Sequence, residues 1–423
     1  MSSSRHLPRP LELTNAAADF TSCARRSSPE NEFVDRKTQT ATACTPQFPI
    51  HFPSLASPRS RSGDPITSDL QIQPERVLLG DALTQTSAPP FPDSAICRDM
   101  ASCIANSNLG TAPDTYLYAL AECGDSSLAT IGSDDALRIF DANSLKPHQT
   151  ARCHAGVACL TAGGRSHLVT GGRDGLVRCW DSRAKKAAEM SDPRANGIAS
   201  VACHDNYIAA GTESLKEGLG DVSVLIYDTR NPSVPLRQYL ESHTDTITQL
   251  AFHPDQPHIL LSGSTDGLVS IFDVNHADEE DALQQVLNPK SAVHCAGFLA
   301  QDLAYVVSTD EQYSIHTLAK TASEDEEVPP PIQFGDVRER LQCMYVVDVL
   351  HQADGPPLIA YGDTEKKSLS ISSLGSPGAW TFGQKIDLPG AHGEEVVRDV
   401  LLHGKRAFSC GEDGMVKAWN LGS

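Results

Sequence analysis

Three sets of side chains in this chain have the composition of a hydrolytic triad: His154, Thr170 and Asp174; His243, Ser262 and Asp266; His392, Ser409 and Asp413. In a triad a histidine takes the proton of a hydroxyl nucleophile while a carboxylate holds the imidazole in the required tautomer. One such centre suffices for catalysis. A trio that returns at repeat spacing fits a buried, satisfied polar network better than a reaction centre. Other chemical signatures are missing: there is no G-x-S-x-G elbow, no phosphate loop, no H-E-x-x-H helix and no C-x-x-C pair. Cys153-His154 with Cys159 has the residue types of a zinc site but lacks the paired spacing. The expectation is a chain with no catalytic residue, no cofactor and no metal.

The elements that must position the trios are written into a repeated phrase. Leu168-Val-Thr-Gly-Gly-Arg-Asp174-Gly-Leu-Val-Arg-Cys-Trp180-Asp181 returns as Leu260-Leu-Ser-Gly-Ser-Thr-Asp266-Gly-Leu-Val-Ser-Ile-Phe272-Asp273. It returns again as Ala407-Phe-Ser-Cys-Gly-Glu-Asp413-Gly-Met-Val-Lys-Ala-Trp419-Asn420. Alternating apolar positions on both sides of Asp-Gly read as two strands joined by a tight turn. Turn aspartates fall at 134, 174, 221, 266, 310, 363 and 413. The copies at Asp310 and Asp363 are degenerate. Repeats at this period mean a ring or a solenoid.

The phrase resembles the repeat of the WD-repeat family, which implies an all-β, seven-bladed β-propeller of four-stranded sheets. In that family a histidine, a Ser or Thr, the turn Asp and a Trp form a buried hydrogen-bond chain. Carried over by position, the resemblance assigns His154, Thr170, Asp174 and Trp180 to one set, and His392, Ser409, Asp413 and Trp419 to another. His243, Ser262 and Asp266 make a third that ends in Phe272. The segment from Ser264 through Asp278-Glu-Glu-Asp281 to Asn288 is similar to the WD repeat-containing protein 89 family, and the likeness extends more faintly over 101–423. It implies the fold and no particular chemistry. The last copy leaves only three residues after Asn420, too few for an outer strand, so residues 101–108 are expected to close the ring.

Composition sets the remaining bounds. Residues 1–95 are rich in Ser, Pro and Arg with no core-forming apolar run, and read as a disordered tail ahead of a propeller at 96–423. Glu12, Asp19, Glu30, Glu32 and Asp35 speak against a transit peptide. No run approaches 18 apolar residues, and no membrane association is expected. Twelve cysteines at irregular spacing suit a reducing compartment, cytoplasmic or nuclear. Residues 1–100 hold ten basic and eleven acidic side chains, so nearly all of the net charge of −20 belongs to 101–423. Such a ring repels a phosphate backbone, so direct nucleic-acid binding is not expected, and a basic protein partner suits it better.

Loops that break the repeat are where partners dock. Glu213–Asp221 lengthens a turn, and Ser323–Pro331 reads as a linker between the fifth and sixth copies. The acidic stretch Asp278, Glu279, Glu280 and Asp281 is a candidate contact for a basic partner. Arg183 and Arg230 each sit two residues past a closing Asp. In WD-repeat substrate receptors of cullin-4 ubiquitin ligases an Arg at this place engages the adaptor, and such an Arg can equally pair with its own Asp181 or Asp228. The function this sequence implies is a non-catalytic protein-interaction scaffold, a monomeric ring. The alternatives are a ligase substrate receptor and, from another class, a propeller enzyme of unknown substrate.

Overall fold

The computed structural model describes residues 98–164, 167–183, 185–216, 219–319, 328–352, 355–375 and 379–422. The tail expected at 1–95 lies outside them. Seven antiparallel sheets follow one another along the chain. Blades one to six take up residues 117–152, 157–191, 198–239, 247–287, 293–336 and 345–389. Blade seven takes three strands from 397–420 and its outer strand from Ser102–Ser107, which runs antiparallel to Val416–Asn420 with Cys103 opposite Trp419. The chain thus closes its ring with an early segment, and no edge is left short of a strand. Just before it, Arg98–Met100 adds a fifth, parallel strand to blade six along Lys385–Asp387.

Each blade forms for the reason its phrase suggests. The second and third strands alternate and are nearly all buried, as in Leu168–Thr170 and Val177 with Cys179. Between them the turn needs a left-handed residue. Gly414 (φ 69°) supplies it in blade seven, where a Cβ would meet Thr115 O at 2.4 Å. In blade one Asp135 takes that role at φ 63°. Every inner strand carries a bulge, just after its first residue in six blades, for example between Val157 and Cys159 or Ile198 and Ser200, and one residue further on, between Val346 and Asp348, in blade six. The bulge adds twist where strands converge on the axis.

The propeller has seven cores. Each lies between two neighbouring blades, as where Val169, Val177 and Met190 of blade two meet Ile198, Ile208 and Leu225 of blade three. At about 1.5–3 kcal/mol for each large apolar side chain buried, one seam of this kind outweighs any single polar contact in the ring.

One sequence expectation is corrected here. The acidic, proline-rich stretch 323–331 does not link two blades. It joins the third and fourth strands of blade five, Gln312–Thr317 and Ile332–Asp336, and residues 320–327 lie outside the described set. The outer strand Ile332–Asp336 shows little apolar alternation, so it was invisible when repeats were counted on the inner hairpins. The lengthened turn of blade three is placed as expected, between Tyr207–Thr212 and Val224–Asp228, with 217–218 outside the described residues.

Candidate functional site

The second strand of blade two carries Thr170, its turn Asp174 and its third strand Trp180, while His154 arrives on the link from blade one. The side chains meet in a chain: Trp180 Nε1 donates to Thr170 Oγ1 at 2.8 Å, Thr170 Oγ1 lies 2.8 Å from His154 Nε2, and His154 Nδ1 lies 2.8 Å from Asp174 Oδ1. An indole only donates and an ionised carboxylate only accepts, so Thr170 passes its proton to Nε2 and Nδ1–H faces Asp174. Burial pushes the His154 pKa down, against the pull of Asp174, which keeps the ring neutral in this tautomer. Burial also pushes the Asp174 carboxyl up, and its contacts with His154 and Arg178 outweigh that and hold it below its ordinary value.

Blade seven repeats the set, with His392 Nδ1 2.7 Å from Asp413, His392 Nε2 2.8 Å from Ser409, and Trp419 Nε1 donating to Ser409 at 3.0 Å. In blade four His243 stands 3.0 Å from Asp266 and 2.7 Å from Ser262. Phe272 cannot donate and instead stacks on Tyr239 at 4.8 Å. All three hydroxyls are fully buried and the histidines nearly so. A nucleophile must meet its substrate, and these hydroxyls meet only their own network.

Other blades are pinned by groups that sequence reasoning missed. In blade one no histidine precedes the first strand, and Arg138 forks onto Asp134 instead. In blade three Tyr227 takes the Trp place and donates to Ser191 O at 2.9 Å. In blade six Lys366 pairs with Asp363 at 2.6 Å. In blades one and six a basic residue three or four positions after the turn Asp was the available signal; blade three has none. The cysteines near His154 are poor metal ligands, because burial pushes the thiols of Cys153 and Cys159 up to about 12. Among the described residues no group of three or more His, Cys, Asp or Glu is placed to hold an ion.

Arg183 and Arg230 stand on neighbouring blades and are mostly exposed, but each folds back on its own aspartate. Arg183 reaches Asp181 through Nη2 at 2.8 Å and its backbone N–H at 2.9 Å; Arg230 reaches Asp228 at 2.6 and 2.9 Å. The same clasp recurs where no ligase motif is written, between Arg338 and Asp336 at 2.6 and 2.9 Å. It is a turn device of this chain.

The acidic stretch separates into two roles. Asp278 caps a one-turn helix, Glu279–Ala282, and with Glu280 and Asp281 stays exposed. Glu279 differs from its neighbours: its carboxylate accepts the backbone N–H groups of Leu240, Glu241 and Ser242 and the Ser242 hydroxyl. It clasps the link that delivers His243, so the expectation that Glu279 offers its charge to a partner is corrected.

The family described as WD domain, G-beta repeat matches residues 145–181 and 234–273, each from an outer strand through the next blade's third strand. The chain is a seven-bladed propeller that carries WD40 repeats at those residues. It is 38% identical over 263 residues to an uncharacterized WD repeat-containing protein of Saccharomyces cerevisiae, a stretch that spans 60% of this chain and 64% of that relative. It is 25% identical over 185 residues to a WD repeat-containing protein 89 homolog of Dictyostelium discoideum, covering 42% and 48% of the two chains. A chain in a crystal structure of the mitotic checkpoint complex superposes with a TM-score of 0.60 at 17% identity, over 82% of this chain and 99% of that one. At that identity the likeness concerns the WD40 fold alone.

Proposed function

We propose that this WD40 ring is a non-catalytic protein-interaction scaffold that works in a reducing compartment, cytoplasmic or nuclear, and binds a basic protein partner. The observation that carries this reading is the fate of the three His–Ser/Thr–Asp trios. Their hydroxyls are sealed into blade networks, so the ring offers preorganised loops and no sealed nucleophile. The acidic surplus of 101–423 supports a basic partner, with Asp278, Glu280 and Asp281 exposed on one turn. Buried thiols at Cys179, Cys295 and Cys410 behave as small apolar residues, which supports a reducing compartment. No observation favours the ligase-receptor reading, since both arginines are held by their own aspartates.

The test is cross-linking and capture by the full chain from extract, beside D278K/E280K/D281K and R183A/R230A variants. The proposal expects basic proteins bound by the wild type, lost from the triple variant, retained by the arginine pair and weakened by salt. A cullin-4 adaptor lost only from R183A/R230A would replace this reading with the ligase one. Turnover of a substrate that H154Q abolishes in a folded ring would overturn it.

A further inference from the structure

Neighbouring inner strands pack side by side at six of the seven seams of the ring, and the exception lies between blades five and six. There Val293–Ala300 and Tyr345–Leu350 stand apart. The sequence also differs there. At one buried position of the second strand, blades two, three and four carry Gly171, Gly211 and Gly263. A Cβ at those glycines would lie 2.6 Å from Ile198, 2.5 Å from Ile247 and 2.8 Å from Val293, each on the next blade's inner strand. At these three positions the approach leaves room for glycine alone. Blade five has Val307 in that place, and Tyr305 two residues earlier, where blades two to four have Val169, Ala209 and Leu261. Blades one and seven carry Ile131 and Cys410 in that place, the latter with Phe408 two residues earlier, and their inner strands still pack beside the next blade's, so the gap at blade five is not set by volume at this position alone.

Polar groups bridge the gap. Tyr305 Oη donates to Asp348 Oδ1 at 3.3 Å, Val346 N–H donates to a Glu311 carboxylate oxygen at 3.0 Å, and His294 Nε2–H donates to Val346 O at 3.2 Å. Glu311 is only 8% exposed, on a turn held at φ 64°. The buried hydroxyl of Tyr313, in the same core as Tyr305 and Cys295, has no partner.

We propose that the seam between blades five and six is a proton-sensitive hinge of the ring, shut while Glu311 and Asp348 keep their protons and loosened when they ionise. The groups facing Glu311 are Asp310 on its own turn, Asp336 and Arg338 from the blade's outer edge, and the Cys343 thiol on the link to blade six. Burial dominates, and with the two aspartates it outweighs Arg338 and the Val346 bond, pushing Glu311 up to about 7. Asp348 faces His294, Cys295 and Tyr305 from blade five, His351 on its own blade and Asp399 from blade seven; burial again raises it. For a carboxyl whose pKa is raised in the closed state, closure is favoured below the ordinary carboxyl value and progressively lost as pH rises toward the raised one. Ionisation of Glu311 should therefore increase opening of the seam by up to about tenfold per pH unit between about 4.5 and 7, then level off.

Hydrogen exchange of the full chain, corrected for intrinsic rates, tests this at pH 5 to 8 in peptides covering 293–300 and 345–350, with 198–204 and 247–252 as references. The expected result is protection that falls with pH at the first pair and not at the second. E311Q, and separately D348N, should keep the seam protected at high pH; two single variants guard against one failing to fold. Seam protection that is flat with pH, that falls equally in the reference peptides, or that keeps its full pH dependence in both variants would overturn the proposal.

Discussion

Blades two and five are built from the same four-strand plan, yet they meet their neighbours differently. Blade two turns a glycine to blade three, admits Ile198 against its backbone and is pinned by the His154–Thr170–Asp174–Trp180 chain. Blade five turns Val307 and Tyr305 to blade six, and its turn is held by Glu311 N–H donating to Ser308 O at 3.0 Å. Both seams hold an apolar core; between blades five and six, where the inner strands stand apart, hydrogen bonds among titratable groups add to it. The lesson is that one four-strand plan supports two kinds of seam. Where the inner strands stand apart, the ring remains closed and its closure answers to pH through Glu311.

Several substitutions would break or sharpen that contrast. The largest effect is expected at Trp419→Ala, which removes a 1%-exposed indole and its bond to Ser409 at the ring-closing blade. Unfolding by denaturant should show a loss of about 3–5 kcal/mol. A loss below about 1 kcal/mol would show that the network does not hold the blade. Next comes Gly211→Val, which puts the valine of blade five into the seam between blades three and four. With Ile247 already 2.5 Å from the new Cβ, it should cost about 1–3 kcal/mol and raise hydrogen exchange in 247–252. Unchanged exchange there would show that this seam accepts the added side chain without loosening.

Glu279→Ala should follow, at about 1–3 kcal/mol, because it strands the donors of 240–242 beside His243. Stability equal to that of Glu280→Ala would return Glu279 to the solvated surface. A fourth test uses pH at the closing seam. Asp399 accepts Leu120 N–H at 2.6 Å across blades seven and one, and desolvation in the ring wall, with part of the side chain still reached by solvent, pushes it up to about 7. The raised value means the folded ring holds a proton that the unfolded chain has released, so stability falls as pH rises from the ordinary carboxyl range to about 7. Urea midpoints between pH 5 and 8 should show this decline, and Asp399→Asn should flatten it. The smallest effect belongs to Arg183→Ala, expected within about 0.5 kcal/mol since its clasp is exposed. A larger loss would give that turn a structural weight denied to it here.

The ring was legible because its repeat is spelled at the inner hairpins: Asp174-Gly, Asp266-Gly and Asp413-Gly mark turns, and buried alternation marks the strands around them. Outer strands were not legible. Pro147–Arg152 is mostly exposed and Arg237–Tyr239 is three residues long, so neither has an apolar period. That blindness misplaced the 323–331 insertion. The pins in blades one, three and six escaped because Arg138, Tyr227 and Lys366 replace histidine and tryptophan with different chemistry in the same space. Glu279 read as free charge because its donors, backbone N–H groups some 37 to 39 residues earlier, leave no mark in a sequence. The change from Gly263 to Val307 was written plainly, but its meaning depends on which face of the strand looks toward the next blade.

The central claim is that the seams among blades two to four are closed by backbone packing and the seam between five and six by side chains. Site-resolved hydrogen exchange of the intact ring at a single neutral pH tests it most directly. The account predicts slow exchange in 198–204 and 247–252 and distinctly faster exchange in 293–300 and 345–350. Equal protection in all four segments would contradict it.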